Sequence, residues 1–156
     1  MSTNTNQQND RVKDATPSPF NAKIERDTWQ RVASYYGKTE AEISARITEL
    51  DKEWDIERYL GVNMSTLAMS GLLVSAITNK KNWLILPAVV LGFFMQHAIQ
   101  GWCPPLPILR KLNIRTTKEI EQEKYALKLL RGDFQGVYDD VELPNFSNLK
   151  EVIQKN

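Results

Sequence analysis

Few residues in this chain of 156 could do chemistry. His97 is the one ionisable group inside either of two long charge-free stretches, and such groups mark proton relays, ligands or buried hydrogen bonds. No carboxylate lies within either stretch, so an interhelical hydrogen bond reads better than a relay or metal role. Cys103 stands directly before Pro104. A reactive thiol needs a cation or a helix N-terminus to lower its pKa. Cys103 falls instead at a helix C-terminus, with no cation within three positions. A structural Cys-Pro turn is the reading, with sulfane-sulfur or redox chemistry as the alternative. Gln96 and Gln100, one helical turn apart, read as helix glue rather than a pore lining. One cysteine and one histidine exclude a disulfide framework and argue against a closed metal site. There is no Ser–His–Asp set, glycine-rich phosphate loop or carboxylate pair in a workable frame. The acids read as solvated helix faces. The expectation is no enzyme and no cofactor.

The elements that position these residues follow from how charge is distributed. Overall composition is ordinary, with 42% hydrophobic and 25% charged residues. The net charge of +1 leaves no electrostatic footprint for nucleic acid. The charges are segregated, however: 21 uncharged residues separate Arg58 from Lys80, and 28 separate Lys81 from Arg110. Leu60 to Thr78 and Trp83 to Trp102 are each long enough to cross hydrocarbon, since 19 residues in a helix span roughly 28 Å. Tryptophans bracket the second stretch as interfacial anchors would. The four residues Asn79-Lys80-Lys81-Asn82 join them as a helical hairpin. The fold class is therefore all-α: a membrane hairpin at 60–103, flanked by amphipathic cytoplasmic helices. A soluble, buried helical pair is the rival.

On the N-terminal side, residues 1–21 are polar and read as disordered, with no signal-peptide pattern. Residues 22–59 form a helical region. It holds a short helix from Ala22 to Tyr36 stopped by Gly37, and a second opened by the capping box Thr39/Glu42. That second helix carries one apolar stripe, Ile43, Ile47, Leu50 and Trp54. The stripe packs on a neighbour or the bilayer surface, with a coiled coil to another chain as the alternative. On the C-terminal side, 104–134 begins with an extended exit forced by Pro104-Pro105-Leu106-Pro107. A helix opened by the capping box Thr116/Glu119 then runs to Arg131, with Gly132 as its stop. Residues 135–156 are a tail in which Ser147 caps a last short helix.

Small residues mark the expected seam between the spans. Gly61, Ser65, Ala68 and Ser75 share one arc of the first, interrupted by Leu72, and Ala88 and Gly92 lead into Gln96, Gln100 and Cys103 on the second. Folding about the lysine pair sets Gly61 opposite Gln100 and Ser65 opposite Gln96. His97 then falls on the outer face with Leu86, Val90, Phe93 and Gly101. An imidazole facing lipid is costly, so this face is expected to meet another chain in a homodimer or other homo-oligomer. Seven lysines and arginines flank the outer ends of the spans (Arg46, Lys52, Arg58, Arg110, Lys111, Arg115, Lys118) against Lys80 and Lys81 in the loop. Both termini are therefore expected in the cytoplasm.

Three motifs carry a family resemblance: Glu53-Trp54-Asp55-Ile56-Glu57-Arg58, Gln100-Gly101-Trp102-Cys103-Pro104, and Leu112-Asn113-Ile114-Arg115-Thr116. Together they resemble the YgaP-like transmembrane domain family, bacterial inner-membrane proteins of mostly unassigned function. The resemblance covers roughly residues 53–118. It implies a self-associating hairpin in the bacterial inner membrane and draws attention to Glu57, Arg58, Cys103 and Pro104. The flanks, including Glu123-Lys124-Tyr125-Ala126-Leu127-Lys128, look like a longer stand-alone subgroup. Pro105-Leu106-Pro107 departs from the commoner Cys-Pro-Leu-Tyr pattern, and no rhodanese domain accompanies the hairpin. Sulfur transfer is therefore not implied. The functional expectation is a membrane anchor that associates with itself or with an unidentified protein partner. An oligomeric transport element for a sulfur species or other small solute, built around His97 and Cys103, is the alternative.

Overall fold

Helix starts and stops follow local chemistry closely. The computed structural model describes residues 10–134. Thr39 and Glu42 form the expected reciprocal capping box, opening α3 (Glu40–Lys52). Thr116 and Glu119 do the same for α7 (Thr117–Arg131), which ends on left-handed Gly132. Asp55 accepts the Arg58 backbone N–H and caps α4 (Ile56–Thr78). Before these come α1 (Arg11–Asp14) and α2 (Ser18–Ser34). After a left-handed Asn79 and a 3-10 turn at Lys81–Leu84, α5 (Ile85–Gln100) runs back along α4, and α6 (Leu106–Lys111) leads to α7. Among the described residues every element is helical.

The helices α4 and α5 form the expected antiparallel hairpin, and α4, like α5 taken together with the 3-10 turn before it, is long and apolar enough to cross a membrane. Their flanks lie together at one end of it, where α7 packs on both α2 and α3. Ile43, Ile47 and Leu50 of α3 meet Ile120 and Leu127 of α7, so the α3 stripe is used within the chain.

The seam of the hairpin differs from the small-residue expectation. On α4 the buried residues are Ile56, Leu60, Met64, Ala68 and Gly71. On α5 they are Pro87, Val90 and His97, with Phe94 packed alongside. Of the expected seam only Ala68 and, past the end of α5, Cys103 are buried, with Ser75 and Gln96 partly so. Gly61 is half-buried, and Ser65, Ala88, Gly92 and Gln100 are exposed. Open space surrounds Gly61 and Gly92, where an added Cβ would meet nothing within 4 Å. The reason is that α5 is apolar on nearly every face, so its pattern does not fix its rotation, and larger side chains fill the seam.

Three further expectations are corrected. The polar segment read as disordered to residue 21 is helical from Arg11, with Val12 buried in the hairpin's core cluster. Residues 1–9 and the tail from 135, including Ser147, lie outside the described residues. The proline-rich exit is not extended beyond Pro105. Pro105 caps α6, and Pro107 occupies its first turn, where a missing N–H costs nothing. Finally, not all the acids are solvated, since Glu119 and Glu123 are buried.

Candidate functional site

The last turn of α5 meets the first turns of α4 and α7 at one end of the hairpin. There His97, only 2% exposed, places Nε2 3.1 Å from Oε2 of Glu57. The imidazole and the carboxylate thus share one hydrogen bond, whose direction follows the tautomer of the ring. The Nδ1 atom is buried with no hydrogen-bond partner. His97 therefore faces inward, not toward another chain. Its carboxylate partner comes from the turn preceding the charge-free stretch, where a search confined to the stretch misses it.

Arg11 and Gly101 close the site from the other side. The Arg11 guanidinium donates to the carbonyl of Ala98, capping the end of α5. Gly101 adopts φ +72°, and a Cβ there would lie 2.5 Å from the Arg11 backbone. Glycine is thus required twice over. Asp10 caps α1 through the Lys13 N–H and accepts from the Thr116 hydroxyl at 2.7 Å. Thr117 donates to Asp55 at 2.6 Å, tying α7 to the start of α4. Between these elements lies a cleft of about 460 Å³, lined by Asp10, Arg11, Glu57, His97, Thr117 and Lys118 among others.

The Cys-Pro turn is structural in character. Cys103 is fully buried with Leu106 and Ile56, and its carbonyl accepts the Leu106 N–H at 3.0 Å. Burial pushes its thiol pKa up, the Leu106 N–H pulls it down, and the charge of Glu57 raises it further. A protonated thiol is a poor nucleophile. Arg58 lies over the Trp54 ring at 4.4 Å, and Trp54 meets Tyr59 edge-on, so Arg58 does not enter the cleft. Gln96 and Gln100 stand one turn apart on α5, 3.5 Å between their amides, outside the cleft.

A second charged assembly holds the flanks together. Fully buried Glu123 accepts from Arg31 at 3.1 Å, from Arg46 at 3.0 Å and from Arg115. Arg115 also forks onto Glu53. Burial works to raise the Glu123 carboxyl, but Arg115, then Arg31 and Arg46, hold it below its ordinary range. Fully buried Arg110 binds both carboxylate oxygens of Glu119 at 2.7 and 2.8 Å and reaches Asn21 at 2.7 Å. Such planar, two-bond pairs suit arginine. One signal for this assembly was present in the sequence: Glu123 occupies the same stripe as Ile120 and Leu127.

Among the described residues no cluster of three metal-ligating side chains occurs. No family model, curated protein or solved structure matches this chain.

Proposed function

We propose that this chain is a non-enzymatic membrane anchor whose helical flanks form an association module on the cytoplasmic side. The observation that carries the reading is the surface of the hairpin. Only 22% and 17% of the apolar 18-residue windows of the two candidate spans is buried within the chain. Val62, Leu67, Met69, Leu73 and Ile77 of α4 are exposed, as are Ile85, Val89, Leu91, Met95 and Ile99 of α5. The core helix of a soluble protein buries such residues, and so large an apolar surface calls for lipid. Trp54, Trp83 and Trp102 are exposed near the helix ends, where interfacial aromatics anchor. The lysine and arginine asymmetry supports the cytoplasmic placement of both flanks, and the resemblance over 53–118 supports a bacterial inner membrane.

The transport reading has less support. It needs His97 and Cys103 to face a shared pore, whereas both are taken up in packing within one chain. Flotation of membranes through a dense, alkaline gradient tests the anchor. The chain is expected to float with lipid after alkaline washing, and recovery in the soluble fraction overturns the proposal. Orientation is read by impermeant thiol labelling of Asn79→Cys and Lys52→Cys in a Cys103→Ala background. Labelling from outside is expected for the first alone.

A further inference from the structure

We propose that α6 is an interfacial helix whose outer face, formed by Ile108, Lys111 and Leu112, rests among the headgroups and upper acyl chains of the bilayer beside the hairpin. The inference rests on the membrane reading above and extends it from the spans to the flank. In the described flanks, Ile108 at 63% and Leu112 at 67% are the exposed aliphatic side chains. Every other valine, leucine or isoleucine described there is buried or partly so.

The placement follows from what the opposite face of α6 does. At about 100° per residue, Leu106, Leu109 and Arg110 share one arc, and Ile108, Lys111 and Leu112 share the other. Leu106 and Leu109 pack in the hairpin's core cluster with Ile56 and Leu60, which lie on either side of Arg58, the last charge before the first span. Arg110 grips Glu119 of α7 and Asn21 of α2. One face of α6 is thus taken up by the hairpin's end and the flanking helices together, so the helix lies at their junction and its free face looks out at that level. Trp102, in the turn just before α6, marks the same level as the bilayer surface. Apolar side chains beside a lysine on one exposed arc match helices that lie in the interface plane. Lys111 is exposed and has no ion pair among the described residues, which leaves its ammonium for lipid phosphate. Residues 101–105 alone separate α6 from α5, so this face continues the exposed apolar belt of that helix into the same medium. Lipid is therefore the occupant.

Spin labels read the medium around each position. They are attached at Ile108→Cys, Leu112→Cys, Leu73→Cys in the first span and Thr48→Cys on α3, each in a full chain carrying Cys103→Ala. The chains are reconstituted in vesicles of phosphatidylethanolamine and phosphatidylglycerol. Collision with oxygen, which partitions into lipid, is compared with collision with a water-soluble nickel chelate. The oxygen-to-nickel ratio at Ile108→Cys and Leu112→Cys is expected to exceed that at Thr48→Cys several-fold and to approach that at Leu73→Cys. A ratio equal to that at Thr48→Cys, with Leu73→Cys still in lipid, overturns the inference and leaves the anchor standing. A water-like ratio at Leu73→Cys overturns the membrane reading itself. Low access to both probes at Ile108→Cys and Leu112→Cys marks a protein cover and overturns lipid as the occupant, with broadening between labels identifying a second copy. Lys111→Glu is expected to lower the ratio at Ile108→Cys in these anionic vesicles, and an unchanged ratio overturns the lysine's share of the contact. Circular dichroism confirms the helical content of each chain, and chains that keep the buried Cys103 repeat the reading should Cys103→Ala fail to fold.

Discussion

Gly71 of α4 lies so close to Pro87 of α5 that a Cβ on the glycine would stand 2.6 Å from the proline Cδ. This is where the hairpin depends on a missing side chain. Gly71→Ala must push the helices apart, at a cost of about 1–3 kcal/mol for overpacking. Gly92→Ala meets open space and, through helix propensity, costs nothing or stabilises by up to about 1 kcal/mol. Unfolding in detergent micelles followed by circular dichroism checks both. Equal effects would mean that the close approach at Gly71 is absent.

The flanking bundle should be acid-sensitive through Glu123. Its carboxyl is held below its ordinary range by three arginines, so its contribution is fully present above the unfolded-state pKa. That contribution is lost as pH falls through the carboxylate range toward the lower folded value. Melting temperature is therefore expected to fall between neutral pH and the acid limb. Glu123→Ala leaves three cations short of a partner and costs about 3–5 kcal/mol at neutral pH. It should also flatten the acid limb, and an unchanged slope would place the sensitivity elsewhere.

Helix boundaries were legible because they rest on local chemistry. Thr39 with Glu42, Thr116 with Glu119, and glycine at 132 each satisfy orphan backbone groups within a few residues. The rotation of α5 was not legible, because Ile85 to Gln100 offers apolar residues on nearly every side. The small side chains of Ala88 and Gly92 then suggested the wrong face. The pair of Glu57 and His97 joins residues forty apart and depends on that rotation, so it was hidden for the same reason. Val12 is one apolar residue in a polar segment, and its place is in a core cluster with Ile56, Leu60, Cys103 and Leu106 that forms only in the folded chain. The partners of Glu123 come from α2, α3 and the segment before α7, a convergence that no local pattern encodes.

Cys103 should be unreactive while the chain is folded. The side chain is fully buried and its thiol pKa is raised, first of all by burial. Maleimide labelling at neutral pH is expected to be slow in mild detergent and complete after unfolding. Fast labelling of the folded protein would revive a redox or sulfur-carrying role for the Cys-Pro turn.

Self-association should use the face of α5 opposite His97. Buried Pro87, Val90 and His97, with partly buried Phe94, mark one side of that helix, and at about 100° per residue Gly92 points the other way. Ala88 and Gly92 let a second backbone approach, while Gln96 and Gln100 bring amides that lipid cannot satisfy. Two copies related by a two-fold axis would meet through the same patch, closing the assembly as a dimer. Membrane hydrogen bonds average roughly 0.6 kcal/mol each, so close packing at Gly92 should outweigh the glutamines. Gly92→Leu is then expected to shift the dimer toward monomer in mild detergent more than Gln96→Leu does. Neither should disturb the hairpin, whose seam lies on the opposite side. His97→Phe should do the reverse, weakening the hairpin through Glu57 while leaving association intact. Chemical crosslinking followed by gel filtration separates these outcomes. Loss of the dimer in His97→Phe with none in Gly92→Leu would return the interface to the His97 face, and a monomer throughout would remove self-association from the proposed function.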